Sequence, residues 1–114
     1  GNGAGYNTQG VSAVAIGVDA GLTTQGNNAV AIGYNAGSNT QGSTAVAVGY
    51  NAGRTSQGNN SIILNATGAN LDQTTANTFT VKPVRGDSTA NLTGAGFKGV
   101  YYNPTTGEFC YSTD

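Results

Sequence analysis

The chain has 114 residues, of which 37% are hydrophobic and nineteen are glycine, with no Met, Trp or His and a net charge of −1. Charged residues make up 8%, against about 25% in an ordinary globular domain, and four scattered Lys and Arg side chains exclude a phosphate-neutralising nucleic-acid surface. So little apolar bulk argues against a large core of its own. No stretch approaches the roughly 20 apolar residues of a membrane-spanning helix, and no signal-peptide pattern opens the chain.

In chain order, residues 1–12 read as the tail of a repeat whose apolar strand is missing, so the chain is expected to be part of something longer. Four blocks then follow at a spacing of sixteen: Ala13-Val14-Ala15-Ile16-Gly17, Ala29-Val30-Ala31-Ile32-Gly33, Ala45-Val46-Ala47-Val48-Gly49 and Ser61-Ile62-Ile63-Leu64-Asn65. Further columns share the period: Gly5, Gly21, Gly37 and Gly53; Gly10, Gly26, Gly42 and Gly58; Gln9, Gln25, Gln41 and Gln57; Ala4, Ala20, Ala36 and Ala52. A short fixed period is the mark of a solenoid whose stacked rungs make the core, and the glycine columns suit corners that need positive φ.

Within each block large and small side chains alternate, as on a strand. Val14, Ile16, Val30, Ile32, Val46, Val48, Ile62 and Leu64 are expected to form the repeat core. The alanine side is expected to meet neighbouring subunits near a symmetry axis. Both faces are apolar, so both should be buried, and the alternation alone leaves open which one lines the roll. The polar half of each repeat reads as a short return strand between turns, with Gln-over-Gln and Thr-over-Thr ladders along the stack. Glycine density and β-branched residues argue against helix throughout.

The expected architecture is therefore all-β: a parallel β-roll over residues 1–68, then a small β-rich cap or neck over 69–114. In the second part Thr78 to Lys82 alternates as a strand ending at Pro83, and residues 86–96 read as a loop. Val100-Tyr101-Tyr102 and Phe109-Cys110-Tyr111 flank a five-residue turn as a hairpin. Phe79, Phe97, Tyr101, Tyr102, Phe109 and Tyr111 are expected to pack as an aromatic cap.

Chemistry is hard to assemble from this inventory. Without His, a serine nucleophile would need Lys82 or Lys98 as base. The acids Asp19, Asp72, Asp87, Glu108 and Asp114 show no pairing, and no Cys or His cluster suits a metal. The expectation is a protein with no catalytic residues, no metal and no cofactor. The lone Cys110 cannot form an intrachain disulfide. Binding candidates are few. Tyr34 and Tyr50 occupy equivalent corners, as a recognition pair or as rings stacked on each other. Arg85-Gly86-Asp87 is an adhesive tripeptide if it protrudes. Asn59, Asn65 and Asn91 begin N-glycosylation sequons, with Asn91 the sterically plausible one.

The Ala-Val-Ala-Ile-Gly-Tyr-Asn-Ala-Gly block at 29–37 and its counterpart at 45–53 resemble the head repeats of YadA-like trimeric autotransporter adhesins. A sixteen-residue repeat is longer than the consensus expected of those bacterial heads. Asn60 to Gly68, Phe79 to Arg85 and Tyr102 to Ser112 resemble an arrangement in fibre proteins of large DNA viruses and phage tail fibres, which commonly precedes an intramolecular chaperone. The resemblance implies a left-handed roll, a homotrimer, and a place on the virion surface as part of a longer fibre. Its partners would be copies of itself and a host-surface glycan or protein, with neither nucleic acid nor membrane insertion. The alternatives are a bacterial surface adhesin head and, from another class, a glycan-processing enzyme.

Overall fold

A computed structural model describes residues 1–114. Its elements in chain order are β1 (Thr8–Gln9), β2 (Val14–Ile16), β3 (Thr24–Gln25), β4 (Val30–Ile32), β5 (Thr40–Gln41), β6 (Val46–Gly49), β7 (Ala52–Gln57), β8 (Ile62–Asn65), β9 (Leu71–Gln73), β10 (Phe79–Lys82), α1 (Thr89–Gly94), β11 (Val100–Tyr102) and β12 (Phe109–Tyr111). The chain divides into two compact units, residues 1–84 and 85–114.

The first unit is a β-solenoid of five turns. Alternate strands go to alternate sheets: β2, β4, β6, β8 and β10 stack in one, and β1, β3, β5, β7 and β9 in the other, every pairing parallel. Register follows the sixteen-residue period, with Val14 on Val30 on Val46 on Ile62, and Gln9 on Gln25 on Gln41 on Gln57. The expected boundary at residue 68 moves to 84. Phe79 pairs with Ile62, Val81 with Leu64 and Gln73 with Gln57, so β9 and β10 form a fifth rung. One extra residue between Ile62 and Phe79, and Thr80 at the position of the small or aliphatic Ala31, Ala47 and Ile63, interrupt its match to the period.

Corner residues adopt positive φ in columns: Ser12, Asn28, Thr44, Asn60 and Asn77 form one, and Asp19, Asn35 and Asn51 another. Asn and Asp tolerate this left-handed conformation better than other L-residues. Glycine is required where conformation and crowding coincide. Gly33 has φ of 124°, and a Cβ there would lie 2.7 Å from the carbonyl oxygen of Gly49 on the next rung.

The interior corrects the expected core. Ala29, Ala31, Ala45, Ala47, Ala20, Ala36 and Ala52 are completely buried between the two sheets, with Ile63 and Leu71 filling the upper end. Val14, Ile16, Ile32, Ile62 and Leu64 point outward and are exposed, and Val30, Val46 and Val48 are half-buried on the same side. The alanines therefore do not meet neighbouring subunits; they let the two sheets of one chain approach closely. Between the sheets lie Gln25, Gln41 and Gln57, each at most 4% exposed. They do not form the expected ladder of amides bonded along the stack. Each Nε2 instead donates across the roll, to the carbonyls of Val14 (2.7 Å), Val30 (2.8 Å) and Val46 (2.9 Å) respectively. Their Oε1 atoms have no hydrogen-bond donor and lie against Gly21, Gly37 and Gly53, where a Cβ would approach to 2.8–2.9 Å.

The second unit holds α1 and an antiparallel hairpin, β11 with β12, in which Tyr102 pairs with Phe109 as the turn spacing requires. The short helix replaces an expected loop. Ser88 caps it by accepting from the Asn91 backbone N–H at 3.1 Å, and a good N-cap offsets a composition poor in helix formers. The expected aromatic cap is not packed inward: Phe97, Val100, Tyr101, Tyr102, Phe109 and Tyr111 are all more than half exposed, and this unit buries no residue.

Two pairs of substitutions test this account. Gly33→Ala combines a strained φ with a backbone collision and should lower unfolding free energy by about 2 kcal/mol, whereas Gly86→Ala, with open space around it, should leave the melting curve unchanged. Gln41→Ala should cost about 2 kcal/mol through the void and the lost hydrogen bond, and Gln9→Ala, on the exposed end rung, should cost less than about 0.5 kcal/mol; thermal or chemical denaturation measures both.

Candidate functional site

The principal feature of the surface is the outer face of the β2–β4–β6–β8–β10 sheet. In-register pairing puts Val14, Val30, Val46, Ile62 and Phe79 in one column and Ile16, Ile32, Val48, Leu64 and Val81 in the next. These ten large apolar side chains include no charge. Ile16 is 57% exposed and Phe79 54%. Isolated apolar residues on a surface are ordinary, but a contiguous two-column patch of this kind marks an interaction site. Its upper end deepens into a largely apolar recess of about 370 Å³, walled by Val48, Leu64, Ala66, Val81 and Pro83 with Lys82 at its edge.

The sequence singles out eight of these ten, all but Phe79 and Val81, as the expected repeat core while leaving open which face lines the roll; the structure turns them outward. Nothing in a large–small alternation distinguishes a wide roll filled by Val and Ile from a thin one filled by Ala. The buried Gln column is the signal that was available: an amide completely enclosed between sheets leaves room opposite it only for a small residue.

Tyr34 and Tyr50 are stacked on each other at a corner, ring centroids 5.5 Å apart and planes 10° from parallel, with each ring about half exposed. Each therefore spends one ring face on the other and keeps an accessible edge.

Arg85, Gly86 and Asp87 do not present a free cation and a free anion. The Arg85 guanidinium donates to the Asp87 carboxylate at 3.1 Å and lies 5.7 Å from the Phe97 ring centroid. Asp87 also accepts from the Asn91 side-chain amide and the Ser88 backbone N–H, both at 2.8 Å. The tripeptide is thus the foundation of the α1 cap. These contacts hold the Asp87 carboxyl below the usual carboxylate range, the Asn91 bond contributing most, then Ser88, with a smaller part from Arg85.

The sequon asparagines are similarly engaged. Asn59 accepts from the Ser43 N–H at 2.9 Å. Asn65, 4% exposed, donates to the carbonyls of Tyr50 and Ala69 at 2.7 and 2.8 Å. Asn91 is exposed but donates its amide to Asp87. No three His, Cys, Asp or Glu side chains come together, and Cys110 is exposed on β12.

Because the folded-state pKa of Asp87 is depressed, its stabilising contacts are present above the unfolded-state value of about 3.9 and are lost as pH falls through the lower folded value. NMR titration of the Asp87 carboxyl should give a midpoint below that of an unstructured aspartate, the Asn91 side-chain amide moving with it; Asp87→Asn should abolish that midpoint and loosen α1. In comparisons with known proteins, no family model matches the chain, and neither a curated protein nor a solved structure matches it.

Proposed function

We propose that the chain is a structural and adhesive segment of a homotrimeric fibre, displayed on a virion surface, that attaches to a host surface without covalent chemistry. The observation that carries the proposal is the charge-free apolar ladder on the outside of a roll whose own interior is made of alanine and glutamine. Such a roll buries little apolar area by itself, and its largest side chains wait on a flat face. Three copies set with these faces inward would enclose Val14, Ile16, Val30, Ile32, Val46, Val48, Ile62, Leu64, Phe79 and Val81 around a common axis. Mutual burial at about 25 cal/mol per Å² is then the largest available source of stability.

The second unit supports the same reading. Its exposed aromatic residues have no core within one chain, as expected of a segment completed by neighbouring copies. The polar sheet, β1, β3, β5, β7 and β9, would face solvent in that assembly and present Thr, Asn and Ser to a receptor. Weak single contacts would be strengthened by threefold presentation, for which a gain of 10²–10⁴ is the usual scale of avidity.

Light scattering after size exclusion should give a mass three times that of the 11.3 kDa chain. Ile32→Asp, in the middle of the apolar face, should produce monomers, while Thr40→Asp on the polar sheet should not change the mass. On an array of host-surface glycans the trimer should be retained and the Ile32→Asp monomer washed away. A monodisperse wild-type monomer would overturn the proposal.

A further inference from the structure

Along the polar sheet one column of the repeat changes in size from rung to rung: Leu22, then Ser38, then Arg54. Backbone bonds keep these rungs in step, the Thr23 N–H donating to the Ser38 carbonyl at 2.8 Å and the Asn39 N–H to the Arg54 carbonyl at 2.9 Å. The small serine between two long side chains leaves a notch of about 300 Å³, lined by Thr23, Ser38, Asn39, Arg54 and Thr55. That volume is at the lower end of small-ligand sites, which start at about 300 Å³.

Every side chain lining it is polar, and none uses its hydrogen-bonding groups within the chain. Several such groups elsewhere in the roll are committed: Asn27 to Val11, Asn59 to Ser43, Asn51 to Asn70 and Thr67 to Asn65. Ser38 is only 8% exposed and lines the notch. Arg54 is the one cation of the solenoid's polar sheet, and the chain's single ion pair, Arg85 with Asp87, does not involve it. A serine hydroxyl and an arginine with no ion pair, a rung apart in one recess, suit a ligand carrying both hydroxyls and a negative charge.

We propose that this notch binds an acidic monosaccharide unit. Arg54 takes the carboxylate through its planar pair of N–H donors, a geometry suited to that group. Ser38, Asn39, Thr23 and Thr55 bond the sugar hydroxyls. Asp72 stands on the next rung and accepts from the Thr55 N–H at 3.0 Å. A single arginine, with the Asp72 carboxylate one rung away, suits one carboxylate better than a polyanion. The inference rests on the attachment reading and specifies the chemical class of its receptor.

The test is a titration of the assembled protein followed by amide NMR, with glucuronate, N-acetylneuraminate, N-acetylglucosamine and acetate as separate probes. The two sugar acids should shift the amides of Thr23, Asn39 and Thr55 with millimolar affinity, and N-acetylglucosamine and acetate should bind at least about tenfold more weakly. Arg54→Gln should lower sugar-acid affinity about tenfold. Ser38→Leu, which places in this rung the residue that Leu22 supplies in the one below, should do the same by filling the notch. Both variants should keep the assembly mass of the parent, so loss of the site and loss of the fibre are read separately. Equal titration by acidic and neutral sugars, equal titration by acetate, or full affinity in Arg54→Gln would each overturn the proposal.

Discussion

The distance between the two sheets of the solenoid governs the rest of the molecule. Each rung turns on residues held at positive φ, and the return strands β1, β3 and β5 are only two residues long. A coil so tight admits alanine from one sheet and a single extended amide from the other. Gln25, Gln41 and Gln57 meet both needs: each lies flat between the sheets and ties its own return strand to the carbonyl of Val14, Val30 or Val46 across the gap. The glycines opposite them are a second consequence, because any side chain at Gly21, Gly37 or Gly53 would occupy the space of the glutamine oxygen.

From that thinness follows the distribution of hydrophobic residues. Strand geometry gives every apolar block two faces, and only the small one fits inside. Valine and isoleucine are therefore driven outward, onto two charge-free columns of the sheet, in numbers that a solitary water-soluble chain rarely exposes. The ordinary relation between core and surface is inverted. The second unit, which buries no residue of its own, poses the same problem with aromatic side chains.

Much of this architecture was legible in the chain itself. The sixteen-residue spacing specified the rungs, their register and the parallel stacking, because identical residues recur wherever the coil closes. The Asn103–Gly107 turn likewise specified the hairpin that pairs Tyr102 with Phe109. What the pattern hid is physically explicable. The inward face depends on the width of the coil, which alternation does not encode. The fifth rung departs from the period by one residue and sets Thr80 at an interior position held elsewhere by Ala or Ile63, yet Asn77-Thr78-Phe79 repeats the corner of Asn60-Ser61-Ile62. The helix at Thr89–Gly94 rests on a local cap made by Ser88 with Asp87 in support, in a stretch whose composition favours loops. The notch at Ser38 was invisible because it arises from the contrast between rungs, whereas the repeat draws attention to their sameness.

The register of the outward ladder also ties two quantities together. Since each coil touches only its neighbours, duplicating one would extend the solenoid by about 4.8 Å and simultaneously contribute one more pair of outward aliphatic groups. Length and outward apolar surface would thus grow in step, so a lineage could lengthen the solenoid by copying coils without redesigning any joint.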